Sequence, residues 1–298
     1  MKVLVIGATG MLGRPAVHRL LADGHEVSGF ARAGRESAVR ATGASPVTGD
    51  LFDVESLASA LRGHEAVLNL ATRIPQASAA VRRSGWVEND RLRLDGTRTL
   101  AAAVSLVDSV KTVVQEGISF VYADGGDTPL DEDAPLEPVG VTASSPRGHE
   151  NIAALESTGR TAIRLRIGVL VGDDAMTKTQ LAAARYGSLL IIGRRDDWTC
   201  AIHPSDAAAA AVAALRAPSG VYNVGAAPVR KQVLGEAMAA AAGVRKPHAL
   251  PRWLAERIPM MAVLARSHRV VSDRLMDATG WKPELPTPGP AWFEPAHP

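Results

Sequence analysis

The sequence predicts an α/β fold: a doubly wound parallel sheet followed by a smaller, mainly helical C-terminal lobe. Three observations carry that prediction. The chain opens on an apolar run, MKVLVI, that passes directly into a glycine-rich turn, GATGMLG. Strand-like and helix-like patterns then alternate through the first half, as they do where crossover helices join parallel strands. Hydrophobic residues make up 46% of the 298 residues and charged ones 21%, enough for one large core or one core with a smaller lobe.

The elements follow in order. KVLVIG is the first strand, and Arg14 to Ala22 a helix, with Pro15 near its first turn and Gly24 closing it. HEVSGFAR is the second strand, then a helix over Arg35 to Thr42. SPVTGD is a short third strand, and Val54 to Leu61 a helix. EAVLNLA is the fourth strand, followed by a long helix through about Val87 to Leu106. KTVVQE is the fifth strand. Residues 120–147, rich in Asp, Pro and Gly, form a long loop of the kind that usually carries function. Gly148 to Ser157 is a helix and TAIRLR the sixth strand. The tail, TPGPAWFEPAHP, holds too many prolines to be helical.

Bulk composition excludes several classes. The net charge is +2, from 33 basic and 31 acidic residues, without a basic arm, so no nucleic acid partner is expected. Cys200 is the only cysteine, which rules out an internal disulfide and a thiolate cluster; it reads as a small buried apolar residue. The eight histidines show no HxxxH or HxH pairing, so no metal site is expected. The N-terminal apolar run is too short for a signal-peptide core or a membrane span, and the Ala207–Ala214 stretch reads as a helix. A cytoplasmic protein, monomer or homodimer, is expected.

The glycine-rich turn names a ligand class. Gly7, Gly10 and Gly13 are spaced GxxGxxG between a strand and a helix. There a dinucleotide pyrophosphate can rest on backbone N–H groups and the positive helix end. Thr9, Met11 and Leu12 would present those groups. The end of the second strand selects the dinucleotide. An NAD site wants a carboxylate there, but SGFARAGR offers Arg32 and Arg35. Guanidinium groups suit the 2′-phosphate of NADPH. Asp50 and Leu51 follow the third strand, where an adenine edge is held. Leu70, Ala71 and Thr72 end the fourth strand, along the cofactor near the switch point. On this reading residues 1–175 form a Rossmann domain binding NADP, and 176–298 a substrate lobe, with 201–225 returning to the sheet.

Taken together, the motifs resemble the short-chain dehydrogenase/reductases of the extended or atypical kind, the group that includes nucleotide-sugar epimerases. GATGMLG matches the family's GxxGxxG and GDLFD its adenine-side motif. LDGTRTL, FVYADGG, IHPSDAAAA, GVYNVG and TGWKPE resemble further family segments in the family's order. LRIGVLVGD resembles the segment beside the nicotinamide, which implies Ile167, Gly168 and Val169 as cofactor neighbours.

The departure is at the reacting end. The family uses Tyr-x-x-x-Lys, with a Ser or Thr after the fifth strand. Here the Tyr falls on Ser144 and the Lys on Gly148, within SSPRGHEN. The hydroxyl position falls on Gly117 or Ile118, with Ser119 next door. The proton donor for a reduced carbonyl is then sought among Ser119, Ser144, Ser145, His149 and His203, water, or an acidic hydroxyl of the substrate itself. His203 equally serves a structural hydrogen bond at a helix whose expected N-cap is Ser205. Tyr122, Ser144, Tyr186 and Trp198 are candidates to line a substrate pocket. The resemblance extends to atypical ketoreductases of aromatic polyketide antibiotic pathways, the angucyclinone type of simocyclinone biosynthesis among them. It implies an NADPH-dependent ketoreductase acting on an aromatic or polyketide carbonyl. Two alternatives stay open: an NADP-binding sensor or scaffold without chemistry, and a nucleotide-sugar epimerase or dehydratase.

Overall fold

The computed structural model describes residues 1–75, 79 and 82–294. Seven parallel strands make the central sheet: β1 (Lys2–Ile6), β2 (Glu26–Ala31), β3 (Ser45–Thr48), β4 (Ala66–Asn69), β5 (Thr112–Gln115), β6 (Thr161–Ile167) and β7 (Gly220–Val224). Their spatial order is β7-β6-β5-β4-β1-β2-β3. The chain reverses direction across the sheet between β1 and β4, which sets the switch point at the carboxyl ends of those strands. Alternation along β1 explains the two layers. Val3 and Val5 pack into one core with α1 (Gly13–Ala22) and, later in the chain, α8 (Pro204–Ala213). Leu4 and Ile6 pack into the other with α3 (Val54–Leu61) and α5 (Thr97–Ser105).

Most helices lie where the pattern places them, with α3 on the expected residues. A short α2 (Glu36–Arg40) follows β2. The long helix before β5 differs in its middle. It begins as α4 (Val87–Arg91), passes through a π turn (Leu92–Gly96) and continues as α5. The helix expected from Gly148 begins one turn earlier: α6 spans Ser144–Ala153 and ends in a 3-10 stretch, Ala154–Thr158, closed by Gly159 at φ 74. Pro146 lies in its first turn, where a missing N–H costs nothing, so it is compatible with the helix rather than a barrier before it.

The remaining chain carries α7 (Ala175–Ala184), α9 (Lys231–Ala242), α10 (Arg252–Ala255), α11 (Pro259–Leu264) and α12 (Asp273–Thr279). Ladders of two or three residues join them. Within the long loop, Pro129–Leu130 pairs in parallel with Arg269–Val270. Leu275 of α12 and Trp281 reach back into the core that holds β1 and α8. In the tail, Pro290–Trp292 form one 3-10 turn; residues 295–298 lie outside the described residues. No helix among the described residues is long and apolar enough to cross a membrane.

Candidate active site

The carboxyl end of β1 turns on glycines that nothing larger can replace. Gly7 has φ 86, and a β-carbon there would lie 2.8 Å from Ala71 N at the end of β4. A β-carbon on Gly13 would approach the Gly7 carbonyl oxygen to 2.0 Å. Gly10 donates its N–H to that same carbonyl at 2.9 Å and is itself exposed. The turn is therefore tight on its protein side and open on its outer side, with Thr9 exposed, Met11 half-buried and Leu12 buried beside it. At the end of β2, Arg32 and Arg35 are exposed, bridged by an N–H bond from Arg35 to the Arg32 carbonyl. Neither makes an ion pair among the described residues. Asp50 is exposed and accepts from Phe52 N–H, while Leu51 is buried against the α3 side. Leu70 is buried, Ala71 half-buried and Thr72 exposed at the mouth of β4.

The reacting end is crowded by the protein itself. Gly117, just past β5, stands against His149: a β-carbon at Gly117 would lie 2.3 Å from His149 Nε2. His149 lies well inside α6, is buried, and its Nε2 meets the Glu116 carbonyl oxygen at 3.3 Å. Burial, followed by the positive charge of Arg166, lowers its pKa to about 3, so it is a neutral imidazole at physiological pH. The Lys position of the family is filled in a similar way. A β-carbon on Gly148 would lie 2.7 Å from the carbonyl oxygen of Arg93 in the π turn. Arg93 in turn reaches Glu116 with two bonds, Nε to Oε1 at 3.1 Å and Nη2 to Oε2 at 3.0 Å, both residues 3% exposed. This buried fork was not foreseen. The only trace of it in the sequence is a charged residue at the end of an apolar strand, VVQE.

Other candidates are displaced from the roles expected of them. Ser119 is buried, its N–H donates to the Ile167 carbonyl at 2.8 Å, and its side chain meets the Cys200 thiol. Cys200 is buried, as expected; burial pushes its thiol up to about 12, and the Ser119 contact only partly opposes this. Tyr122 is fully buried, its hydroxyl donating to Asn223 Oδ1 at 2.7 Å and accepting from Arg166 Nη1 at 2.7 Å, so it braces the core and does not line a pocket. His203 is itself the N-cap of α8, taking the place expected for Ser205; its Nδ1 accepts from Ser205 N–H at 3.3 Å. Asp206 lies in the first turn of that helix, and its carboxylate also accepts from Glu284 N–H and Leu285 N–H, both at 2.9 Å. Tyr186 is 92% exposed beyond α7, in open solvent. Trp198 lies under the guanidinium groups of Arg230 and Arg269 and donates to Asp127, which makes it a surface brace. Gly168 presses on Cys200, where a β-carbon would lie 2.8 Å from the carbonyl oxygen, while Ile167 and Val169 continue from β6 beside it.

The residues present fit a dinucleotide. The open side of the Gly7–Gly13 turn is a cradle of backbone. Two buried polar atoms, Ser144 Oγ and Asn89 Nδ2, have no hydrogen-bond partner among the described residues. Asn89 Oδ1 accepts from Arg73 N–H, which places Asn89 near the end of β4, and Ser144 opens α6. No group of three or more metal-ligating side chains occurs among the described residues.

Such a sheet, with a tight glycine turn after β1 at the switch point, is that of a Rossmann-type oxidoreductase dependent on NAD(P). The chain belongs to the NAD dependent epimerase/dehydratase family, whose model matches residues 3–225. A 3-diazoavenalumate denitrifying reductase of Streptomyces sp. is 32% identical over 96% of this chain and 97% of that protein. A 2-alkyl-3-oxoalkanoate reductase of Shewanella oneidensis is 29% identical over 70% of this chain and 56% of that protein. Among solved structures, a human epimerase family protein with NADPH has a TM-score of 0.75 at 24% identity, covering 98% of both chains. A Thermus thermophilus UDP-glucose 4-epimerase with NAD has a TM-score of 0.75 at 23% identity, covering 98% of this chain and 97% of that one. These two structural likenesses concern the fold.

Proposed function

We propose that this protein is an NADPH-dependent reductase that delivers hydride to an aromatic acceptor needing no protein acid. One observation carries the reading: the Gly7–Gly13 turn is exposed on its outer side, while the family's Tyr and Lys positions hold Ser144 and Gly148, with the space beside Gly148 and Gly117 filled by Arg93 and His149. A bound nicotinamide supplies the hydride. The chain's own residues would hold the pyrophosphate on the Gly7–Gly13 turn, and Arg32 and Arg35 would hold the 2′-phosphate. Ser144 Oγ offers a neutral hydrogen bond at the reacting end. His149, held neutral, donates no proton there at physiological pH.

The acceptor that suits this site best is a carbonyl flanked by its own acidic hydroxyl, as in an aromatic polyketide. Its alkoxide takes the neighbouring proton as it forms. A second reading rests on the Streptomyces relative, matched along nearly its whole length. An aryl diazonium carries its own positive charge; it takes hydride at carbon, loses dinitrogen and leaves no alkoxide to protonate. Epimerase chemistry needs a base where Ser144 stands, which disfavours it.

Stopped-flow oxidation of NADPH against paired acceptors tests the proposal. Hydroxyl-flanked ketones or aryl diazonium ions should react, and matched ketones without the hydroxyl should not. Equal rates with the unflanked ketones would sink it. In the same assay Arg32→Ala should weaken NADPH by roughly 10- to 100-fold, the loss of one charge-assisted contact, and leave NADH nearly unchanged.

A further inference from the structure

Two arginines are more than nine-tenths buried among the described residues, Arg93 and Arg166. Arg93 has the Glu116 carboxylate. Arg166, 8% exposed, has no carboxylate within ion-pair distance. Its Nη1 donates to two neutral acceptors, Tyr122 Oη at 2.7 Å and the Glu132 carbonyl oxygen at 2.9 Å. Its Nη2 and Nε make no hydrogen bond among the described residues. A buried cation without a counter-charge is costly, so it calls for an anion.

Arg166 lines a cavity of about 200 Å³ between α6, the β6–β7 edge and the long loop. Arg164, two residues earlier on the same face of β6, lines it as well; its own charge is met by Glu156 at 2.7 Å. Ser145, buried and without a side-chain partner among the described residues, and His149 form the helix wall. The apolar walls are Val121, Leu136 and Val221. The carboxylates nearby are accounted for. Glu132 is held by Arg274 at 3.3 Å and by Asn223 N–H, and Glu150, the acidic residue of the lining, is exposed.

We propose that this cavity is a binding site for a small organic monocarboxylate, its carboxylate on the free edge of Arg166 and its apolar body against Val121, Leu136 and Val221. A guanidinium edge matches a carboxylate with two parallel N–H bonds. The apolar walls favour an organic acid over inorganic phosphate. Ser145 and His149 share α6 with Ser144 and Gly148, so an occupied cavity bears on the helix that borders the reacting end.

Calorimetric titration of the full-length protein with benzoate, and separately with inorganic phosphate, tests the site. Benzoate should bind saturably at one site per chain, and phosphate should not. Ala153→Phe fills the cavity from a half-buried helix position and touches no hydrogen-bond network; it should weaken benzoate at least about tenfold with an unchanged melting temperature. Arg166→Met should do the same if it folds. Absence of benzoate binding, saturable binding of phosphate alone, or undiminished benzoate binding in folded Ala153→Phe would each overturn the proposal.

Discussion

The two ends of the site are both built on glycines, and they teach opposite lessons. At the phosphate turn, Gly7 and Gly13 close on their own backbone and leave the outer face of the turn open. At the reacting end, Gly117 and Gly148 are equally forced, but the space beside them is occupied by His149 and by the π turn at Arg93. A glycine beside a crevice is therefore a sign of a ligand only when the missing β-carbon leaves room that the protein does not itself take.

The largest expected effect breaks the first end. Gly13→Val puts a side chain 2.0 Å from the Gly7 carbonyl oxygen, and dinucleotide binding, read by fluorescence titration, should be lost together with much of the thermal stability. Next comes the second end. Arg93→Met leaves Glu116 charged and buried, and should lower unfolding free energy by about 3–5 kcal/mol in urea titration. Removing both partners, with Arg93→Met and Glu116→Leu, should recover most of it. Smaller is Gly148→Lys with Ser144→Tyr, which rewrites the family pair. It should cost about 1–3 kcal/mol through overpacking against Arg93 and fail to raise the reduction rate.

Smallest per histidine and per pH unit is acid sensitivity. Burial lowers the pKa of His149 from 6.5 to about 3, and that of His268 from 6.5 to about 4. Both are neutral in the folded chain, so the unfolded chain takes up protons first as pH falls below 6.5. Stability should then drop by up to roughly 1.4 kcal/mol per histidine over the first pH unit, and go on falling toward the folded values. His149→Gln should flatten part of that slope in a series of urea midpoints.

The reading from sequence succeeded where local chemistry decides the structure. Val54–Leu61 is bracketed by an Asp53 cap and an amphipathic period, and the phosphate turn by its glycine spacing. It failed where a partner far along the chain decides. Ser119 looked free beside the fifth strand, yet Cys200 holds it from 81 positions on. Tyr122 looked like part of a loop, yet Asn223 and Arg166 bury it. α6 begins one turn before the expected Gly148 because its first residues, SSPR, are as polar as the loop before them, and the ladders of two or three residues are too short to leave any period in the sequence.

The family model ends at residue 225, but the folded unit does not. Leu275 and Trp281 belong to the same core as β1, and the Asp206 carboxylate is met by the N–H groups of Glu284 and Leu285. The last quarter of the chain is thus a keystone for the first three-quarters. A fragment cut at residue 225 should emerge from expression unfolded or aggregated, and adding back residues 226–294 as a separate polypeptide should rescue it.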